Sequence, residues 1–172
     1  MKTKNLKKTK SLKKSNSIKK TTPLKVGVVT ARFNHEITEK LEEGALHFLE
    51  QVPNILIEAV RVPGAVEIPL ACKALFERGC EGVVALGAVI RGDTSHYDVV
   101  CNSVERGVTQ LMLEKGKPIG FGVLTTENEE QALDRAGGIH GNKGVDAAQV
   151  TLEMMGLLKD LREIKNMKME NS

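Results

Sequence analysis

The sequence predicts an α/β protein, a single three-layer α/β/α domain built on a four-stranded parallel sheet, and three observations lead there. From Pro23 onward, short apolar runs alternate with amphipathic stretches, the order that builds a parallel sheet covered by helices. The runs are rich in Val, Ile and Leu without strict alternation, as expected of strands buried on both faces. The length, 172 residues, fits one domain with a sizeable core and leaves no room for a second.

Taken in order, strands are expected over 24–29, 55–62, 82–90 and 119–124, where each apolar run ends in polar or Gly/Pro-containing sequence. Helices are expected over 36–50, 65–78, 95–115, 128–136 and 143–166. In the third helix Val99, Val100, Val104, Val108, Leu111 and Met112 fall at helical spacing; in the last, Val150, Met154, Leu157, Leu158 and Leu161 do so. The domain is expected to span 23–166, with residues 167–172 a flexible C-terminus. No internal repeat interrupts the pattern.

Residues 1–22 are Lys-, Ser-, Thr- and Asn-rich, and Leu6, Leu12 and Ile18 are too sparse to bury anything. Ordering such a segment costs more entropy than its contacts return, so a disordered tail is expected. The tail also distorts the charge of the whole. Of 25 basic residues, nine are lysines within the first 20 positions, which leaves 16 against 22 acidic residues and a body of net charge −6. The overall +3 therefore describes the tail, and a nucleic-acid-binding body is excluded as an expectation. No apolar run is long enough to span a membrane.

Cys72, Cys80 and Cys101 form no C-x-x-C pair and are odd in number, which suits free thiols in a reducing cytoplasm rather than a disulfide framework or a zinc site. The N-terminus has no apolar core of a secretory signal.

In an open parallel sheet, ligands gather beyond the carboxyl ends of the strands. Four segments converge there: Thr30-Ala31-Arg32-Phe33-Asn34, Pro63-Gly64-Ala65-Val66-Glu67, Arg91 to His96, and Thr125-Thr126-Glu127-Asn128. The third is the richest. Gly92 permits a close turn, Asp93 or Thr94 can cap the following helix, and free amides at a helix start attract phosphate, although such junctions also serve as caps alone. His96 lies on the first turn, and its near-neutral titration makes it the best general acid/base candidate in the chain. Phe33 is one of only four Phe, with one Tyr and no Trp; its ring can stack on a planar heterocycle or plug the edge of the core. Glu67 offers acceptors for hydroxyl groups or simply complements a helix start.

Between the last two helices, the stretch from Arg135 to Asp146 holds four glycines bracketed by Arg135 and Lys143, a link that can hold cations against an anion. It does not match the phosphate loop of nucleotide triphosphatases, since Asn142 precedes the Lys and Gly144 follows it, and no G-x-G-x-x-G follows a strand. Arg91-Gly92-Asp93 spells an adhesion tripeptide, but at a strand-to-helix junction the structural reading holds.

Together these segments resemble the lumazine synthase family: Ala31-Arg32-Phe33-Asn34; Val62-Pro63-Gly64-Ala65-Val66-Glu67-Ile68-Pro69; Leu86-Gly87-Ala88-Val89-Ile90-Arg91-Gly92-Asp93-Thr94-Ser95-His96-Tyr97-Asp98; Phe121-Gly122-Val123-Leu124-Thr125; and Arg135-Ala136-Gly137 followed by Gly141-Asn142-Lys143-Gly144-Val145-Asp146. Their order and spacing cover residues 24–158, leaving the tail outside. The resemblance implies a flavodoxin-like topology and condensation of 5-amino-6-(D-ribitylamino)uracil with 3,4-dihydroxy-2-butanone 4-phosphate to 6,7-dimethyl-8-ribityllumazine, without metal or redox cofactor.

By position it implies that Phe33 stacks on the uracil ring, that Asn34 and Glu67, with the loop at Ala65 and Val66, hold the ribityl chain, and that Val89 and Ile90 line the ring pocket. Lys143 would meet a pyrimidine oxygen. Asp93 and Thr94 would hold the phosphate together with Arg135, while His96, oriented by Asp146, moves protons. In the family Phe121, Arg135, Lys143 and Asp146 come from a neighbouring subunit, so a homo-pentamer is implied. The short 137–143 link favours its assembly into a sixty-subunit shell, and the product would pass to a riboflavin synthase. Ile139 departs from relatives with Lys there. A related archaeal-type riboflavin synthase shares the architecture, but Thr94 with Arg135 argues against it, and the set His96, Arg135 and Lys143 argues against a scaffold without activity.

Overall fold

The computed structural model describes residues 22–170, and of residues 165–170 the backbone only; nearly all of the expected N-terminal tail, and the last two residues, lie outside the described residues. Four parallel strands, β1 (Leu24–Ala31), β2 (Ile55–Val62), β3 (Gly82–Ile90) and β4 (Ile119–Thr126), form a sheet in the order β2-β1-β3-β4. The helices are α1 (His35–Glu50), α2 (Ile68–Glu77), α3 (His96–Lys115), α4 (Glu129–Arg135) and α5 (Lys143–Glu170). This is the expected three-layer α/β/α domain.

The central strands show why it forms. On β3, Val83, Ala85 and Val89 face one cluster while Val84, Leu86 and Ala88 face the other. The first cluster is closed by α2 and α3 through Ile68, Cys72, Leu75, Val104 and Val108. The second is closed by α1, α4 and α5 through Ile37, Leu41, Leu49, Ala132, Ala147 and Ala148. Burying each of these larger side chains contributes about 1.5–3 kcal/mol, which is what makes a strand without alternation stable only in the middle layer.

Several boundaries differ from the sequence expectation, each for a physical reason. β1 runs on through Thr30 and Ala31, and β4 through Thr125 and Thr126, because the neighbouring strands extend equally far and supply partners: Thr30 is registered with Arg61, and Val89 and Ile90 with Thr125 and Thr126. Threonine is β-branched and suits a strand despite its hydroxyl. The second helix does not start at 65. A 3-10 turn over Ala65–Glu67 precedes α2, and Pro69 sits in the first turn of α2, where its missing N–H costs nothing. The link after α4 is a small antiparallel hairpin of β5 (Ala136–Gly138) and β6 (Gly141–Asn142), with Gly137 at φ 117° and Gly141 at φ 73°, values that L side chains avoid. α5 continues to Glu170, past the expected end at 166 and through residues expected to be flexible.

Candidate active site

The carboxyl ends of β1, β2 and β3 and the start of α3 enclose a cleft of about 350 Å³. Three of the four segments expected beyond the strand ends line it, and the fourth, Thr125-Thr126-Glu127-Asn128 after β4, does not. After β1 come Phe33 and Asn34; after β2, Gly64 through Glu67; at the end of β3, Ala88, Val89 and Ile90; and at the start of α3, Gly92, Thr94 and His96.

Phe33 is 72% exposed. The ring therefore does not plug the core; it stands as a bare apolar face on the cleft wall, which costs free energy in the empty protein and favours a planar ligand. Asn34 adopts a left-handed backbone (φ 57°) at the start of α1, and its side-chain amide donates to the Ala88 carbonyl at 2.9 Å. That bond ties the β1 loop to β3 and leaves the Asn34 amide oxygen for a ligand. One carboxylate oxygen of Glu67 accepts from the Gly64 amide at 2.9 Å, so the turn after β2 is closed by its own side chain.

The start of α3 is open, and residues 92–96 are exposed. The Thr94 hydroxyl accepts from the His96 amide at 3.4 Å, the N-cap position of α3 is Ser95, with no side-chain capping bond, and Asp93 is exposed and does not line the cleft. Sequence reasoning gave no place in the site to Tyr97 and Val100, which also line the cleft. Their signal was present: with Val104 and Val108 they form one helical face, of which the lower part closes the core and the upper part opens into the cleft.

Among the described residues, no Lys or Arg lines this cleft. The cations expected at the site are elsewhere. Arg135, at the end of α4, is half-buried and donates to the Gln131 carbonyl at 3.0 Å. Lys143 and Asp146 pair with each other at 2.6 Å on the first turn of α5, and with Phe121 they line a second cleft of about 640 Å³ along the free edge of β4. A single chain thus brings together Phe33, Asn34, Ala65, Val66, Glu67, Val89, Ile90, Thr94 and His96, but not Asp146 with His96, nor Arg135 with Thr94.

Beside the second cleft, α5 packs closely on β4. The Gly120 amide donates to the Thr151 hydroxyl at 3.1 Å, and that hydroxyl donates to the Ala147 carbonyl at 2.8 Å. A Cβ at Gly120 would collide with Ala147, so glycine is what lets α5 lie directly on β4. The outer surface nearby carries Val150, Met154, Leu157 and Leu161, all substantially exposed. Their helical spacing does not mark a face buried within the chain. Phe121 is 42% exposed in the same region.

Among the described residues no group of three or more His, Cys, Asp or Glu could hold a metal ion, and no helix is long and apolar enough to cross a membrane.

Residues 23–159 match the family model described as 6,7-dimethyl-8-ribityllumazine synthase. The chain belongs to the lumazine synthase family. A lumazine synthase of Bdellovibrio bacteriovorus is 72% identical over 138 residues, covering 80% of this chain and 77% of the relative. Lumazine synthases of Desulfovibrio desulfuricans and Thermococcus kodakarensis are each 48% identical, over 143 and 141 residues, covering 80% and 81% of this chain and 90% of each relative. The lumazine synthase match contains both clefts and leaves the Lys-rich N-terminus outside.

Proposed function

We propose that turnover takes place where the first cleft of one chain meets the second cleft of a neighbouring copy. The reaction is the condensation of 5-amino-6-(D-ribitylamino)uracil with 3,4-dihydroxy-2-butanone 4-phosphate, giving 6,7-dimethyl-8-ribityllumazine, phosphate and water in riboflavin biosynthesis. The observation that carries the two-chain reading is electrostatic. The first cleft offers a ring platform, acceptors and an imidazole, yet among the described residues no cationic side chain, and a phosphate dianion without a cation would be poorly held.

Phe33 stacks on the uracil, with the backbone of Val89 and Ile90 along its edge. The free oxygens of Asn34 and Glu67, beside Ala65 and Val66, receive the ribityl hydroxyls. The amides at Asp93 and Thr94 and the Thr94 hydroxyl hold the phosphate at the start of α3. From the neighbour come Arg135 for the phosphate, Lys143 for a pyrimidine oxygen, Phe121 for the ring pocket and Asp146 to orient His96. His96 then takes a proton from the attacking amine, gives one to the departing carbonyl oxygen as the Schiff base forms, and serves phosphate elimination and ring closure in turn. Holding two reactants side by side supplies much of the remaining rate.

The assembly that follows is a homo-pentamer, with the short hairpin after α4 favouring a sixty-subunit shell, working in the cytoplasm and passing its product to a riboflavin synthase. The test is direct. Purified chain mixed with both substrates should produce lumazine absorbance and fluorescence above the spontaneous rate, and light scattering should find a closed oligomer. No rate above background would end the enzymatic reading, and an active monomer would end the two-chain site.

A further inference from the structure

We infer that Arg91 is a positioning residue for this reaction, fixing the turn that carries His96, an inference that rests on the role proposed for His96. Arg91 is the first residue after β3, and its backbone amide still donates to the Thr126 carbonyl at 2.9 Å. Its guanidinium makes three further contacts. Nε donates to Glu127 at 2.8 Å, Nη1 and Nη2 reach Asp98 at 3.5 and 3.3 Å, and the planar group lies over the Tyr97 ring at 4.0 Å from its centre.

These contacts bracket the candidate acid/base. Tyr97 and Asp98 are the next two residues after His96, and on the other side the Thr94 hydroxyl accepts from the His96 amide at 3.4 Å. Between Arg91 and α3 the chain is exposed, and a Cβ at Gly92 would meet nothing within 4 Å. The Arg91 guanidinium and the Tyr97 ring thus tie the first turn of α3 to the end of β3 and to the core. That ring is itself anchored, because it packs on the core cluster between β3, α2 and α3, and burial is the main cause of its raised pKa.

Two features separate this role from simple surface pairing. The guanidinium is engaged by two carboxylates, which disposes of its charge and removes it as a ligand for phosphate. Its geometry also needs arginine, since only a flat fork reaches Asp98 and Glu127 while stacking on a ring. The pairs are well exposed, with side-chain exposures of 38% for Arg91, 54% for Asp98 and 60% for Glu127, so they add little to global stability. A network that does little for stability, yet grips the residues beside His96 from β3 and the β4–α4 connection, is placed to set orientation.

The experiment is a double-mutant cycle on the full chain with Arg91→Met, Arg91→Lys and His96→Ala. Arg91→Met should lower kcat about tenfold with both KM values within about twofold and little change in melting temperature. Arg91→Lys should recover only part of the loss. The double variant Arg91→Met/His96→Ala should be no slower than His96→Ala alone, because orientation has no value without the imidazole. Should Arg91→Met fail to fold, Asp98→Asn/Glu127→Gln removes the same clamp and enters the cycle in its place. Wild-type kcat in the clamp variant, or losses that simply add, would overturn the inference while leaving His96 in its role. A fully active His96→Ala would overturn the role of His96 itself and the inference with it.

Discussion

The side chain of Asn142 fills the space in which a Cβ at Gly44 would stand, its amide nitrogen lying 2.5 Å from that position. From there the amide donates to the Lys40 carbonyl at 2.8 Å, while its oxygen accepts from the Gly144 and Val145 amides at 2.8 and 3.3 Å. One residue thus joins α1 to the first turn of α5, which carries Lys143 and Asp146. Gly44→Ala tests this with opposing effects. Helix propensity alone would favour Ala by about 1 kcal/mol, whereas forcing Asn142 aside should cost about 1–3 kcal/mol and loosen the cap. The expected outcome of urea denaturation is net destabilisation, with a fall in lumazine formation; a more stable Gly44→Ala protein would mean that Asn142 yields freely.

The separation of the two clefts predicts complementation between damaged chains. His96→Ala and Arg135→Ala chains should each be nearly inactive alone. After co-refolding, some sites would pair an intact His96 with an intact Arg135 from the adjacent copy. Activity of the mixture should then exceed the sum of the two separate preparations. A mixture no better than its parts would place both residues of each working site in one chain.

Phe33→Ala should divide stability from binding. The ring is 72% exposed, so its loss should change the unfolding free energy by no more than about 0.5 kcal/mol. Loss of stacking should raise KM for the ribitylaminouracil about tenfold. Equal KM in mutant and wild type would remove the ring from the substrate site.

Glu58 predicts a pH effect away from the site. On β2 it is held by Lys25 at 2.8 Å and by Arg78, and these hydrogen bonds, Lys25 first, lower its pKa from the usual 4.5. A carboxylate whose folded pKa is depressed binds fewer protons in the folded state than in the unfolded one. Its contribution is therefore present above the unfolded value and is lost as pH falls through the folded one. Chemical denaturation of Glu58→Gln should accordingly show a shallower loss of stability below pH 4.5 than wild type. Parallel curves would show that the cluster contributes nothing to folding.

How much of this was legible in the sequence depended on whether side-chain pattern and structural role coincide. β3 was readable because Gly82–Ile90 is apolar throughout and buried from Gly82 to Val89. The last residues of β1 and β4 were not, since Thr30, Thr125 and Thr126 resemble loop residues until the register of the neighbouring strand is known. Strand-end logic located Phe33, Glu67 and His96, since each lies in a segment that follows a strand end. It missed Tyr97 and Val100, which look like the rest of a helix face that is mostly core. The hairpin after α4 gave no signal either, because glycines carry no side-chain periodicity. Nor does helical spacing distinguish Val150 and Met154, which stay exposed, from residues buried within the chain.

The bond between the Glu67 carboxylate and the Gly64 amide bears on timing. Freezing a free glutamate costs rotamer entropy of the order of 1.5–2 kcal/mol, and here that cost falls on folding rather than on substrate capture. A polyol reaching this carboxylate meets an acceptor already aimed, with one oxygen occupied and the other free. Under the proposed site, the loop after β2 would then act as a fixed gauge against which hydroxyl positions are measured, and a sugar chain of the wrong length or configuration would find no mobile side chain able to adjust to it.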